Sequence, residues 1–273
     1  MPKILNKVFS AFIGAFLLCG TALRCIQLFF MTDASTGFIN RNRAGTIVLF
    51  FLSCLAFILF IPVLLKNKDF KNPFDKSKSK LLFFASAAAG IAMFYDFVFK
   101  CVTCYKYVQE VSVLRLNYFI PLCLSAISAL LCALYFVMMG VSFKTDRYDF
   151  TSFKYYHLVP VFWSLFILFS LLTDYNDGIY AEEKTLYYIA VSFGMLFFIK
   201  LMGSVNSDYK KLKSLCFFGF AYSALCFVLA VPRAVAFLFG AELYKADFSA
   251  VTYLLMFVFA VAFSFKMIRL KEE

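Results

Sequence analysis

Eight apolar stretches, each of a length suited to crossing a lipid bilayer, make up most of this 273-residue chain. A transmembrane helix needs about 20 predominantly apolar residues to cross a hydrocarbon core of about 30 Å. The stretches cover residues 8–31, 44–65, 81–100, 116–143, 157–173, 185–204, 215–240 and 248–265. With 63% hydrophobic residues, the chain has more apolar surface than a soluble fold of this length can bury. We therefore expect an all-α polytopic membrane protein, a bundle of about eight transmembrane helices in one integral membrane domain covering residues 1–273.

The net charge of +11 is better explained by membrane topology than by nucleic-acid binding. If both termini lie in the cytoplasm, the cytoplasmic segments hold 17 of the 27 Lys and Arg residues and the outer loops hold six. Such a bias in short loops follows the positive-inside rule. The pattern predicts a multi-pass protein of the cell (plasma) membrane with cytoplasmic N- and C-termini, and nucleic acid is not expected as a partner.

The longest cytoplasmic connection, residues 66–80, contains six lysines. Each basic residue close to an anionic inner leaflet contributes about 1 kcal/mol to membrane attraction. We expect this segment to contact anionic lipids of the inner leaflet. Docking of a partner protein on the same lysines is the alternative.

Two pairs of similar segments suggest an internal duplication. TDASTGFI at 32–39 follows the first run and TDYNDGIY at 173–180 follows the fifth, while LLFF opens the third run and LCFF the seventh. Both pairs occupy equivalent topological positions, as expected for two parallel four-helix repeats with halves 1–143 and 144–273. Chance is the alternative explanation, because 39 Phe residues will repeat short Phe strings by accident.

Ionisable side chains occur inside three of the odd-numbered runs: Arg24, Asp96 and Arg233. At 1.5 Å per helical residue they lie about 22–27 Å from the cytoplasmic ends of their runs, in the outer part of the hydrocarbon layer. Gln27 and Lys100 lie one helical turn beyond Arg24 and Asp96, on the same helix faces.

Two interpretations of these five residues remain open. The arginines can extend to the headgroups while Asp96 and Lys100 form an i,i+4 pair near the interface. Alternatively, the side chains face each other inside the bundle and line a polar cavity open to the outside, since ionisable residues inside membranes often have functions. Three cations outnumber one carboxylate in this set. As a binding site, it would therefore suit an anionic or zwitterionic solute.

Enzymatic chemistry has little support in the sequence. The single histidine, His157, rules out two-histidine zinc sites within this chain, and no G-x-S-x-G elbow or P-loop occurs. The one candidate redox pair is Cys101 and Cys104 in CVTC, at the outer end of the third run. Incidental cysteines or a local disulfide are the alternatives, because no second outer pair exists to relay electrons. We predict no catalytic residues, no cofactor and no bound metal.

Two functions are consistent with these patterns. The first is a small-solute permease, or the membrane subunit of a transport system, with a charged outer entrance. The second is a non-transporting scaffold or accessory protein that recruits a partner through its cytoplasmic lysine-rich loop. A cavity reaching the intramembrane ions would favour transport, and a solid bundle with those ions at the headgroups would favour the scaffold.

Overall fold

The computed structural model describes residues 14, 17–31, 79–110, 114–145, 154–173, 181–204, 209–239 and 250–267. In these ranges the regular structure is helical throughout and no strand occurs. The second apolar run at 44–65 and the lysine-rich connection up to residue 78 lie outside the described residues. The same is true of the segments at 32–39 and 174–180 on which the predicted duplication depends.

Seven helices can be followed through the described residues. They are α1 (Leu17–Phe30), α2 (Lys80–Glu110), α3 (Leu116–Thr145), α4 (Leu158–Thr173), α5 (Ala181–Ser204), α6 (Tyr209–Leu238) and α7 (Ala250–Met267). The end of α1 is wound as a π-helix over Gln27–Met31, and a 3₁₀ turn at Lys154–His157 leads into α4. The six helices α2 to α7, with α4 counted from Tyr155 in the 3₁₀ turn, are long and apolar enough to cross a membrane, which makes this a helical membrane protein.

The helix α2 is longer than the third apolar run, residues 81–100, which predicts it. It begins at Lys80, where Ser79 acts as the N-cap and accepts a hydrogen bond from the Leu82 backbone N–H at 3.4 Å. It continues through CVTCYKYVQE to Glu110, because this stretch contains no Gly or Pro to interrupt it. Asp96 is therefore the seventeenth of 31 residues and lies near the centre of α2.

Six helices form a closed ring. Each helix from α2 to α6 packs against the next one along the chain, and α7 packs back against α2. At that closing contact the Thr252 hydroxyl of α7 donates to the Ala92 carbonyl oxygen of α2 at 3.3 Å. Short connections favour such packing between successive helices. The ring gives the bundle an interior surrounded by six different helices.

The first helix packs against α6. A Cβ atom on Gly20 would lie 3.5 Å from the Val228 side chain, and the rings of Phe29 and Phe239 are 6.1 Å apart. Residue numbers rise together along this contact, so α1 and α6 run parallel. Parallel helices separated in the chain are expected in a membrane protein when both cross in the same direction.

Aromatic rings pack against one another in the ring interior, and we call this set the aromatic layer. Its members come from α3, α5, α6 and α7: Phe136, Phe197, Phe198, Tyr222, Phe259 and Phe263. The closest pair, Phe136 and Phe259, has ring centroids 4.9 Å apart in an edge-on arrangement that aromatic quadrupoles favour. The layer lies toward the Lys80 end of α2, because Phe136 packs close to Gly90, one and a half turns before Asp96.

Candidate functional site

A buried ion pair lies at the centre of α2. The Lys100 ammonium donates a hydrogen bond to Oδ2 of Asp96, one helical turn away. The two residues are only 3% and 2% exposed, although each carries a full charge in its ordinary ionised form. Charged side chains inside membrane proteins are rare and usually face the bundle interior in pairs. This pair is one of two parts of the predicted polar cluster that the structure brings together.

The indole of Trp163 completes the environment of the Asp96 carboxylate. Its Nε1–H donates to the same Oδ2 atom at 2.8 Å, and the Lys100 ammonium lies 5.5 Å from the centre of the indole ring. Trp163 belongs to α4, which is separated from α2 in the ring by α3. The hydrogen bond therefore crosses the ring interior. The contact also adds a cation–π interaction, which is strongest where water is excluded.

Buried polar side chains from the other helices surround this group. Tyr222 in α6 and Tyr253 in α7 are buried in the same core, and the Tyr253 ring packs 5.4 Å from that of Tyr187 in α5. In α3, Cys132 is fully buried in this core. All six helices of the ring thus contribute. We call the set the ring-centre cluster: Asp96, Lys100, Cys132, Trp163, Tyr187, Tyr222 and Tyr253.

The hydrogen-bonding capacity of this cluster is not used up. Both donors to Asp96 approach Oδ2, and no described residue donates to Oδ1. The Tyr222 hydroxyl is fully buried and makes no hydrogen bond with the described residues; it lies near the Cys226 thiol without meeting hydrogen-bond geometry. A buried polar group without a partner costs free energy, so the Tyr222 hydroxyl is an unsatisfied group within the described part of the bundle.

The other predicted site residues lie elsewhere. Arg24 of α1 donates from its guanidinium to Oε1 of Gln27 at 2.9 Å, and both side chains are buried. In the part of the chain that the structure describes, no ion pair joins Arg24 to Asp96. Arg233 is half-buried on α6, near the level that Arg24 occupies on the parallel α1. The predicted residues thus separate into the Asp96–Lys100 pair on α2, the Arg24–Gln27 pair on α1, and Arg233 on α6.

The predicted C-x-x-C pair also separates. Cys101 is exposed, whereas the sulfur of Cys104 lies 3.8 Å from that of Cys123 in α3. His157 is buried and its Nδ1 lies 2.6 Å from the Tyr135 hydroxyl, a contact that fixes the turn before α4. Among the described residues, no three His, Cys, Asp or Glu side chains are arranged to hold a metal ion.

Sequence reasoning missed Trp163 and the three tyrosines of the cluster. One signal was available for Trp163, which is the single tryptophan of a chain with 39 Phe and lies inside an apolar run. An indole N–H buried in a membrane bundle needs an acceptor, and Asp96 is an obvious one. The tyrosines gave no such signal, because their contribution depends on how the ring closes.

Comparisons of the chain with protein-family models, with curated proteins and with solved structures find no match.

Proposed function

We propose that this protein is a permease for a small zwitterionic solute, or the membrane subunit of a transport system for one, and that the solute binds at the ring-centre cluster. The observation that carries the proposal is the Asp96–Lys100 ion pair, buried among six helices and bonded across the interior by Trp163. Ionisable groups at such positions in membrane proteins usually mark a solute or ion pathway.

The ion pair itself indicates the class of solute. A zwitterion carries an ammonium group and a carboxylate, which are the counterparts of Asp96 and Lys100. Insertion of a zwitterion between the two side chains would replace one internal ion pair with two intermolecular ones. The unused Oδ1 of Asp96 and the unbonded hydroxyl of Tyr222 would supply further hydrogen bonds to the guest.

The arginines have a second role in this proposal. Arg24 and Arg233, on the parallel helices α1 and α6, would attract the carboxylate end of the solute at the outer entrance. Replacement of both arginines with Gln is expected to lower solute uptake. Unchanged uptake in the double variant would show that the arginines are not part of the solute pathway. It would not contradict solute binding at the ring-centre cluster.

We further propose that the protein lies in the plasma membrane with both termini in the cytoplasm. The run at 44–65 would then supply an eighth helix, and the lysine-rich segment would contact the inner leaflet. Support for this orientation comes from the distribution of Lys and Arg between the two sets of loops. A tag inserted in residues 66–78 should be inaccessible in intact cells and become accessible after permeabilisation.

The test of transport uses the purified protein reconstituted into liposomes. Radiolabelled glycine, γ-aminobutyrate and glycine betaine serve as zwitterionic probes, with acetate and methylammonium as singly charged controls. Uptake of one or more zwitterions above that of empty liposomes is expected. Asp96→Asn should lower the apparent affinity of the protein for the transported zwitterion by roughly 10–100-fold, since a charge-assisted hydrogen bond is worth about 1.5–3 kcal/mol.

Lys100→Met should have a similar effect on uptake, whereas Lys106→Met is the matched control. Lys106 lies on the same helix and is exposed, so its loss should leave uptake unchanged. Equal uptake by the wild type and both cluster variants would contradict the proposed binding site. An absence of saturable uptake for every zwitterion would contradict the substrate class.

The scaffold function is the second candidate, and one observation favours it. The rings of the aromatic layer pack against one another in the ring interior beside the cluster. A protein that only recruits a partner has no need of a solute path through this layer. Binding of a cytosolic protein that persists in the Asp96→Asn variant, together with no uptake of any probe by the wild type, would favour the scaffold.

A further inference from the structure

Three cysteines lie toward the connecting end of the α2–α3 hairpin. The Sγ atoms of Cys104 and Cys123 are 3.8 Å apart, and both side chains are half-buried between the two helices. Cys101, three residues before Cys104, is exposed.

The register of the hairpin determines which thiols meet. Near the connection, the rings of Tyr107 and Tyr118 are 5.0 Å apart. On the other side of Asp96 along α2, Gly90 lies against Val137. A Cβ atom added to Gly90 would be 3.3 Å from the valine methyl. Between these two contacts, the antiparallel packing of α2 and α3 places Cys104 opposite Cys123.

We propose that Cys104 and Cys123 form a disulfide bond that links α2 to α3. A disulfide bond is about 2.05 Å long, so the sulfurs must approach each other by roughly 1.8 Å, which rotation of two half-buried side chains can supply. The proposal is independent of any transport activity.

Cys101 and Cys104 of the C-x-x-C motif cannot form a disulfide bond with each other while α2 remains helical there. Residues three apart in a continuous α-helix have Cβ atoms about 5–6 Å apart, whereas a disulfide requires about 3.5–4.5 Å. Cys101 and Cys104 lie well inside the unbroken helix Lys80–Glu110. A bond between them would require local unwinding, which the bond across the hairpin does not.

Formation of the bond requires an oxidant, and we assign this role to an external disulfide. The Cys104 thiolate attacks one sulfur of that disulfide and expels the first thiolate, which leaves a mixed disulfide on Cys104. The Cys123 sulfur then attacks the Cys104 sulfur and expels the second thiolate. The two cysteines lose two electrons and two protons, and the external disulfide becomes two thiols.

The bond would act on the helix that carries the ion pair. Asp96, Lys100 and Cys104 follow one another at four-residue intervals and share a face of α2. A covalent link at Cys104 would fix the turn that follows Lys100 against α3. Reduction would release this constraint without altering any member of the ring-centre cluster.

The test counts thiols in the full-length protein in isolated membranes. Membranes are treated with oxidised glutathione, quenched with acid, denatured and labelled with a maleimide-polyethylene glycol reagent that shifts the band once per free cysteine. The wild type should fall from nine reactive cysteines to seven on oxidation. Reduction with dithiothreitol should restore all nine.

Three variants identify the pair. Cys101→Ser is the matched control and should still lose two thiols. Cys123→Ser should lose one, as the unresolved mixed disulfide on Cys104, and Cys104→Ser should lose none. Peptide mapping of the oxidised wild type should recover a fragment that joins Cys104 to Cys123. A wild type that keeps all nine thiols after oxidation, or a Cys104→Ser variant that still loses two, would overturn the proposal.

Discussion

The Nε1–H of Trp163 donates a hydrogen bond to the carboxylate of Asp96 at 2.8 Å, although 67 residues separate them in the chain. The bond spans the interior of the helical ring from α4 to α2. It holds the carboxylate in a fixed position beside Lys100, so the charge at the ring centre is supported by two helices.

Replacement of Trp163 with Phe should destabilise the protein. The variant keeps an aromatic ring but removes a donor to a buried carboxylate, which costs about 1–3 kcal/mol. The free energy of unfolding can be measured by titration of mixed micelles with sodium dodecyl sulfate. Phe169→Leu, an exposed position on the same helix, should change it by much less. Equal effects of the two substitutions would contradict the hydrogen bond.

The same indole provides an optical signal, because Trp163 is the single tryptophan of the chain. Asp96→Asn changes the charge directly beside the indole N–H and should shift the wavelength of maximum emission. Lys106→Met, at an exposed site on the same helix, should leave the emission spectrum of the purified protein unchanged. An emission spectrum insensitive to Asp96 would place the indole away from the carboxylate.

Removal of either member of the Asp96–Lys100 pair should cost more than removal of both. A single substitution, Asp96→Asn or Lys100→Met, leaves one buried charge without its counter-ion, which costs about 3–5 kcal/mol in buried pairs. The double variant buries no ion and should recover most of that loss. A double-mutant cycle on unfolding free energies measures the coupling. A double variant as unstable as the sum of the single variants would show that the charges do not interact.

Gly194 should tolerate no side chain. An added Cβ atom would lie 2.8 Å from the Tyr222 ring, so Gly194→Ala forces α5 and α6 apart and should destabilise by about 1–3 kcal/mol. Gly203→Ala is the matched control on the same helix, because nothing lies within 4 Å of a Cβ there. Combining Gly194→Ala with Tyr222→Leu should restore part of the loss. No rescue would mean that the ring of Tyr222 is not the obstacle.

Two adjacent methionines should respond differently to truncation. Met139 is fully buried in the core of the bundle, whereas Met138 is 39% exposed. Met139→Ala leaves a cavity that helix packing cannot easily close, at a cost of about 2 kcal/mol or more. Met138→Ala exchanges contacts with lipid for other contacts with lipid and should cost little. Unfolding in mixed micelles compares the two, and equal losses would contradict the orientation of α3.

The candidate site could be predicted only in part. Asp96 and Lys100 were identifiable because charges inside an apolar run are conspicuous and four-residue spacing pairs them on one helix face. Grouping them with Arg24 assumed that equal depth implies proximity. In the structure Arg24 lies on α1 and bonds to Gln27 of the same helix, whereas Asp96 and Lys100 lie on α2. The depth of a residue along a helix does not determine which neighbouring helix its side chain faces.

The sequence by itself determined that this protein lies in lipid and that helices cross the bilayer. Long apolar runs must become helices in lipid, because hydrocarbon offers no partner for backbone N–H and C=O groups. Only the tertiary structure decided which side chains meet: Trp163 with Asp96, and Cys104 with Cys123 instead of Cys101. These contacts depend on the rotation and order of helices around the ring. Packing between apolar surfaces sets both, and a pattern of uniformly apolar residues does not encode them.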